Sequence, residues 1–178
     1  NDRRYNCSSL NTVANREKYY ACTEIVKQQG FDFVDAYFDG NINTAPTEFS
    51  HNPEWMLDAS TKFMDEAAAR NQPFFLYFSS TLVHEPSALD SLLQFNKTQT
   101  PKGILTDTDI PDDTLMPSRN VTWTLAENLG FKYSNRISTA ALNVWMDQSF
   151  GALIDYLERK ELYNDTFIVF MNDHGMGT

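Results

Sequence analysis

Two runs of apolar residues, Pro73-Phe-Phe-Leu-Tyr-Phe-Ser79 and Phe167-Ile-Val-Phe-Met171, constrain this chain more than any other feature. Neither alternates polar with apolar residues, so neither suits a strand with one face in water. Both read as strands covered on two faces, and such strands belong to parallel sheets flanked by helices. In sheets of that kind, functional groups collect just beyond the carboxyl ends of the strands. The first run leads into Ser80-Thr-Leu-Val-His84-Glu-Pro86, and the second into Asn172-Asp173-His174-Gly175. A carboxylate and an imidazole side by side at a strand end can face one divalent ion, and Gly175 lets the backbone turn away sharply. Parallel strands end on one edge, so His84, Asp173 and His174 are the candidate site residues.

The remaining pattern supplies the helices. Residues 12–29 favour a helix closed by Gly30, and Phe31–Tyr37 reads as a short strand ended by Asp39-Gly40. Asn52-Pro53-Glu54 starts a helix, with Asn52 as cap and Pro53 at the first helical position. Trp55, Met56, Ala59, Phe63, Met64 and Ala67 then recur at helical spacing, and Asn71 closes the helix. Residues 85–132 carry Pro, Asp, Thr and Asn with little periodicity and read as a long surface excursion, with 87–132 as its variable part. A long helix follows over about 134–160, its apolar face running from Ile137 through Trp145 to Leu157. The order helix, strand, helix, strand, loop, helix, strand predicts an α/β fold, part of a mostly parallel sheet with crossover helices. Three strands leave their edges without neighbours, so the expected setting is a larger α/β domain.

Composition narrows the function. A formal net charge of −10 and the absence of any block of Lys or Arg argue against nucleic-acid binding. No run approaches the ~20 apolar residues that a membrane span requires. The N-terminal stretch has neither an initiating Met nor the apolar region of a signal peptide, and reads as an internal cut. Four sequons, at Asn6, Asn96, Asn120 and Asn164, point to the secretory pathway. Cys7 and Cys22 are then either a disulfide or two free thiols. Trp55 and Trp145 read as core, Trp123 as a loop residue able to touch substrate, and His51 as a surface residue. The acidic group Asp107, Asp109, Asp112 and Asp113 lacks the Gly and Glu of an EF-hand loop and reads as solvated.

Taken in order, several blocks resemble the sulfatase family of the alkaline-phosphatase superfamily, over about residues 50–175. They are Asn52-Pro-Glu-Trp-Met-Leu-Asp-Ala-Ser-Thr-Lys-Phe-Met, Gln72-Pro-Phe-Phe-Leu-Tyr-Phe-Ser with His84-x-Pro86, Met146-Asp-Gln-Ser-Phe-Gly151, and Asn164-Asp-Thr-Phe-Ile-Val-Phe with Asp173-His-Gly. The resemblance implies that Asp173 and His174 are the second pair of metal ligands. It implies Ca²⁺ or Mg²⁺ as the usual metal, while the imidazole leaves room for Mn²⁺ or Zn²⁺. It casts His84 as the histidine that hydrogen-bonds the sulfate and protonates the leaving group. The implied reaction is hydrolysis of a sulfate ester on a small molecule or carbohydrate, in a secreted or lysosome-like setting.

Departures from the family pattern shape that expectation. The family's nucleophile is a formylglycine made from Cys in a Cys-x-Pro-Ser-Arg-type motif. Here Leu115-Met-Pro-Ser-Arg119 has Leu where Cys is required and comes after His84, so it reads as a chance match. The first pair of metal-ligating aspartates has no counterpart, and the catalytic lysine expected after the Asp-His-Gly turn would lie beyond Thr178. The resemblance therefore implies that residues 1–178 are a partial catalytic domain, lacking the nucleophile segment and the C-terminal part and inactive alone. Two other readings stand beside it. One is a phosphodiesterase or phosphatase of the same superfamily, using Ser or Thr; the other is a non-catalytic carbohydrate- or protein-binding module that kept the fold.

Overall fold

In this computed structural model, residues 13–38, 51–84, 92, 99–104, 116–133 and 136–172 are described. The principal helices are α1 (Val13–Lys27), α2 (Pro53–Ala69), α3 (Arg119–Ala126) and α4 (Ile137–Arg159). A two-residue antiparallel pair, β1 (Gln99–Thr100) and β2 (Gly103–Ile104), puts Gln99 opposite Ile104. A π-helical turn, Glu127–Phe131, continues α3. A 3₁₀ turn, Tyr163–Asp165, follows α4.

The helix ends show why the chain stops where it does. After α2, Asn71 adopts φ 51°, the Asn71 N–H donates to the Ala68 carbonyl, and the Gln72 N–H donates to the Ala67 carbonyl. After α4, Glu161 adopts φ 59°, the Glu161 N–H donates to Glu158, and the Leu162 N–H donates to Leu157. Both are Schellman closures, which satisfy the last carbonyls and turn the chain back over the helix. Leu162 then packs on the core, the apolar contact that accompanies this motif. The α2 closure delivers the chain directly into the first apolar run, and the α4 closure reaches the second through the 3₁₀ turn.

α2 is the central element. Every residue from Pro53 to Leu57 is buried, as are Ala59, Ser60, Met64 and Ala67. Trp55, Met56 and Ala59 pack with Tyr19 of α1 and with Ala36. Leu57 and Met64 belong to the larger cluster, with Ala126 of α3 and Ala141, Leu142, Trp145, Leu153, Tyr156 and Leu157 of α4. Each leucine-sized side chain buried there contributes about 1.5–3 kcal/mol.

The two apolar runs depart from expectation. Residues 73–80 alternate strictly between exposed and half-buried positions, the period-two signature of extended chain. Phe74, Leu76 and Phe78 rest on the core, while Phe75 is 75% and Tyr77 69% exposed. Ile168 packs inward in the second run, while Phe167 is 91% exposed. Neither run joins a ladder among the described residues, where the one sheet is β1–β2. The helices cover only one face of each run, so the parallel sheet expected from their double burial is not formed there.

Three further expectations are corrected. Phe31–Tyr37 is not a strand: Ala36 turns to φ 49°, and the Asp35 carboxylate accepts the Ala36 N–H at 2.8 Å and the Tyr19 hydroxyl. Part of the 85–132 stretch is packed rather than a surface excursion, since Thr100, Thr122 and Ala126 are fully buried and Met116 nearly so. α3 hides threonine and alanine rather than large apolar residues, which leaves little periodicity to read. Trp123 stands on that helix, its indole N–H donating to Glu127 at 3.3 Å, and packs on the core instead of lying in a loop.

Burial and the neighbouring Asp35 carboxylate push the Tyr19 hydroxyl far above its ordinary titration range, and burial beside Asp65 does the same to Tyr156. A raised folded-state pKa favours the native state below the unfolded value, about 10 for tyrosine, and that contribution is lost as pH rises above it. The urea midpoint should therefore fall between about pH 9 and 11, and fall less steeply in Tyr19→Phe, which removes one of the two groups. Parallel pH profiles for the two proteins would contradict this assignment.

Candidate functional site

The site is built from the residues ahead of α2 outward. Asn52 occupies the capping position but makes no side-chain bond to the helix. Its Oδ1 instead accepts Arg119 Nη2 at 2.7 Å. Arg119 also donates from Nε to Glu54 Oε1 at 2.9 Å and from Nη2 to Glu54 Oε2 at 3.0 Å. Nη2 lies 3.3 Å from the His51 carbonyl. The guanidinium stands 4.9 Å above the Trp145 ring, a cation–π contact. Glu54 and Arg119 are nearly buried, with side chains 6% and 12% exposed. A planar fork with several fixed donors suits this bidentate geometry, and an ammonium does not.

His51 is fully buried, which corrects its reading as a surface residue. Its ring meets the Trp145 ring edge-on, with centroids 6.3 Å apart. Nδ1 lies 2.9 Å from Thr81 Oγ1, and Nε2 lies 2.9 Å from the His84 carbonyl oxygen. A carbonyl can only accept, so Nε2 carries the hydrogen. In the neutral ring, Nδ1 then accepts the Thr81 hydroxyl, and the network assigns the tautomer.

These bonds hold the turn that follows the first apolar run. Leu82 is buried in the core, its N–H donating to Ser80 Oγ at 3.1 Å, and the His84 N–H donates to the Thr81 carbonyl at 3.3 Å. The backbone of the turn is thus fixed from beneath, while the His84 side chain is exposed. An exposed imidazole on an anchored backbone is suited to meet a ligand from solvent.

A second polar group lies on the α1 side. A cavity of about 150 Å³ is lined by Tyr19, Tyr20, Asp35 and Lys102 among others. Lys102 approaches Asp35 at 3.4 Å and lies over the rings of Tyr19 and Tyr20. Its cation and carboxylate face each other, so the cavity offers little net charge to a ligand.

Of the residues singled out from sequence, Asp173 and His174 lie outside the described residues, as do Asn6, Asn96, Cys7 and the Asp107–Asp113 group. No three His, Cys, Asp or Glu side chains converge to hold a metal among the described residues. Asn120 and Asn164 are exposed, on α3 and in the 3₁₀ turn. Cys22 is buried in α1. His51, Thr81 and Arg119 were not legible as site residues. Arg119 bonds Glu54 across 65 positions and His51 bonds His84 across 33, and no local pattern signals such pairs.

The Sulfatase family model matches residues 3–178, and the chain belongs to the sulfatase family. No curated protein and no solved structure matches it. The family is one of hydrolases acting on sulfated substrates; it is generally metal-dependent, generally secreted or lysosomal, and of the alkaline-phosphatase-like α/β fold. Among the described residues no helix is long and apolar enough to cross a membrane.

Removing one partner of the Arg119–Glu54 pair strands a buried charge. Arg119→Ala should lower unfolding free energy by about 3–5 kcal/mol. Arg119→Ala combined with Glu54→Ala should cost clearly less than the sum of the two single changes, by urea denaturation of all four proteins. Strict additivity would show that the pair is not coupled.

Proposed function

We propose that this chain carries part of the catalytic site of a metal-dependent sulfatase that hydrolyses sulfate esters of small molecules or carbohydrates. The observation that carries the reading is the family match over 3–178 together with the exposed His84 on its anchored turn. His84 would hydrogen-bond the sulfuryl group and donate its proton to the leaving oxygen as the S–O bond breaks, so that the alcohol departs neutral. Sulfate leaves as the other product after water is consumed.

Asp173 and His174 would hold the divalent ion, Ca²⁺ first on the hardness of the carboxylate, with Mg²⁺ or Mn²⁺ as the other candidates. When bound, the ion would supply positive charge to the sulfate oxygens. The sequence contains no Cys-x-Pro-Ser-Arg-type motif, so the formylglycine nucleophile would come from outside these 178 residues. Glycans at Asn120 and Asn164 would suit a secreted or lysosome-like protein, both side chains being exposed.

A general acid matters most when the leaving group is poor. In the full-length protein, His84→Ala should lower kcat about 10²–10⁴-fold on an alkyl sulfate and much less on an aryl sulfate with an acidic phenol. An equal loss on both substrates would deny His84 the proton-donating role. Asp173→Ala should abolish metal binding, by equilibrium dialysis, and turnover together; retained turnover would remove Asp173 from the metal site.

A further inference from the structure

We propose that His51 is a positioning residue for the sulfate site, clamping the Thr81–His84 turn from inside the protein so that the His84 imidazole is held toward substrate. The proposal rests on the reading of His84 given above. His51 is fully buried. Both of its ring nitrogens bond to the turn, Nδ1 to the Thr81 hydroxyl and Nε2 to the carbonyl of His84 itself, each at 2.9 Å. One rigid ring thereby ties together the two ends of a single turn.

The imidazole suits this task because its neutral form offers one donor and one acceptor at a fixed separation in one rigid plane. An amide side chain can mimic one of these bonds but reaches both poorly. His51 is itself held by its surroundings. Arg119 grips its carbonyl and the Asn52 side chain, the Trp145 ring backs its imidazole, and Pro53 begins α2 two residues later. The restraint therefore runs from the rigid core through His51 to the backbone that carries His84. Restraint of this kind matters because a displacement of about 1 Å at a reacting group can cost on the order of 10²-fold in rate.

The test uses the full-length protein with an alkyl sulfate as substrate. Thr81→Val keeps the side-chain volume and removes the hydroxyl that Nδ1 accepts. It should lower kcat about tenfold or more with KM little changed, and lower the unfolding midpoint modestly because the buried Nδ1 loses its donor. In a His84→Ala background the same change should have no further effect on kcat, because the clamp acts only through His84. His51→Gln, which keeps an N–H for the His84 carbonyl, should recover part of the kcat that His51→Ala loses.

A Thr81→Val protein with unchanged kcat would overturn the proposal, and so would a loss that persists undiminished in the His84→Ala background. If His84→Ala alone leaves kcat intact, the sulfate-site reading fails and the positioning role falls with it. Amide exchange at His84 separates the cases: faster exchange in Thr81→Val shows that the clamp exists even when the site reading has failed.

Discussion

The buried ion pair between Arg119 and Glu54 is the constraint on which the rest of the site depends. It joins the first turn of α2 to the first turn of α3, and the guanidinium lies on the Trp145 ring at the middle of α4. Such a pair is a poor source of net stability, because desolvating both charges costs several kcal/mol. What it supplies is register. Its donors also reach Asn52 and the His51 carbonyl, so the residues ahead of α2 take a single arrangement. Glu54, near the N-terminus of α2, also gains from the helix dipole. Arg119, at the start of α3, is opposed by its own helix dipole, and its guanidinium is directed toward α2.

From that anchor the order of dependence runs outward. Arg119 and Trp145 fix His51, His51 fixes the turn at 81–84, and the turn presents His84. Leu82 ties the same turn to the leucine and tryptophan core between α2 and α4. The guanidinium itself is consumed by carboxylate and amide oxygens, so it is not placed to receive an anion. The buried cation therefore organises the framework, and His84 stands exposed at its edge.

Sequence patterning revealed the parts of this arrangement that repeat locally. α1 was legible as a polar, helix-favouring stretch closed by Gly30, and α2 and α4 from apolar spacing, with Pro53 at the start of α2 and Asn71 just beyond its end. Trp55 and Trp145 were legible as core for the same reason. His84 stood out by its place after an apolar run. His51 was misread because a polar residue ahead of a helix usually faces water, and only a contact 33 positions away buries it. α3 was missed because it buries Thr122 and Ala126, and Thr122 is satisfied by Gln148 at 2.6 Å rather than by apolar neighbours. The two apolar runs were read as doubly buried, yet Phe75, Tyr77, Phe167 and Val169 remain open to solvent. One face follows the helices beneath it; the other face is the part of the sequence signal that the described residues do not use, and it accords with the α/β fold that the family implies.

The most direct measurement is turnover of matched esters by the full-length protein: one alcohol carried as its sulfate and as its phosphate, with inorganic sulfate and phosphate release followed side by side. Family membership and the exposed, anchored histidine lead to sulfate release with much slower phosphate release. Phosphate release that exceeds sulfate release would move the chain to phosphoryl-transfer chemistry on the same framework. Release of neither, by protein shown to be folded and metal-loaded, would leave a binding module and contradict the account.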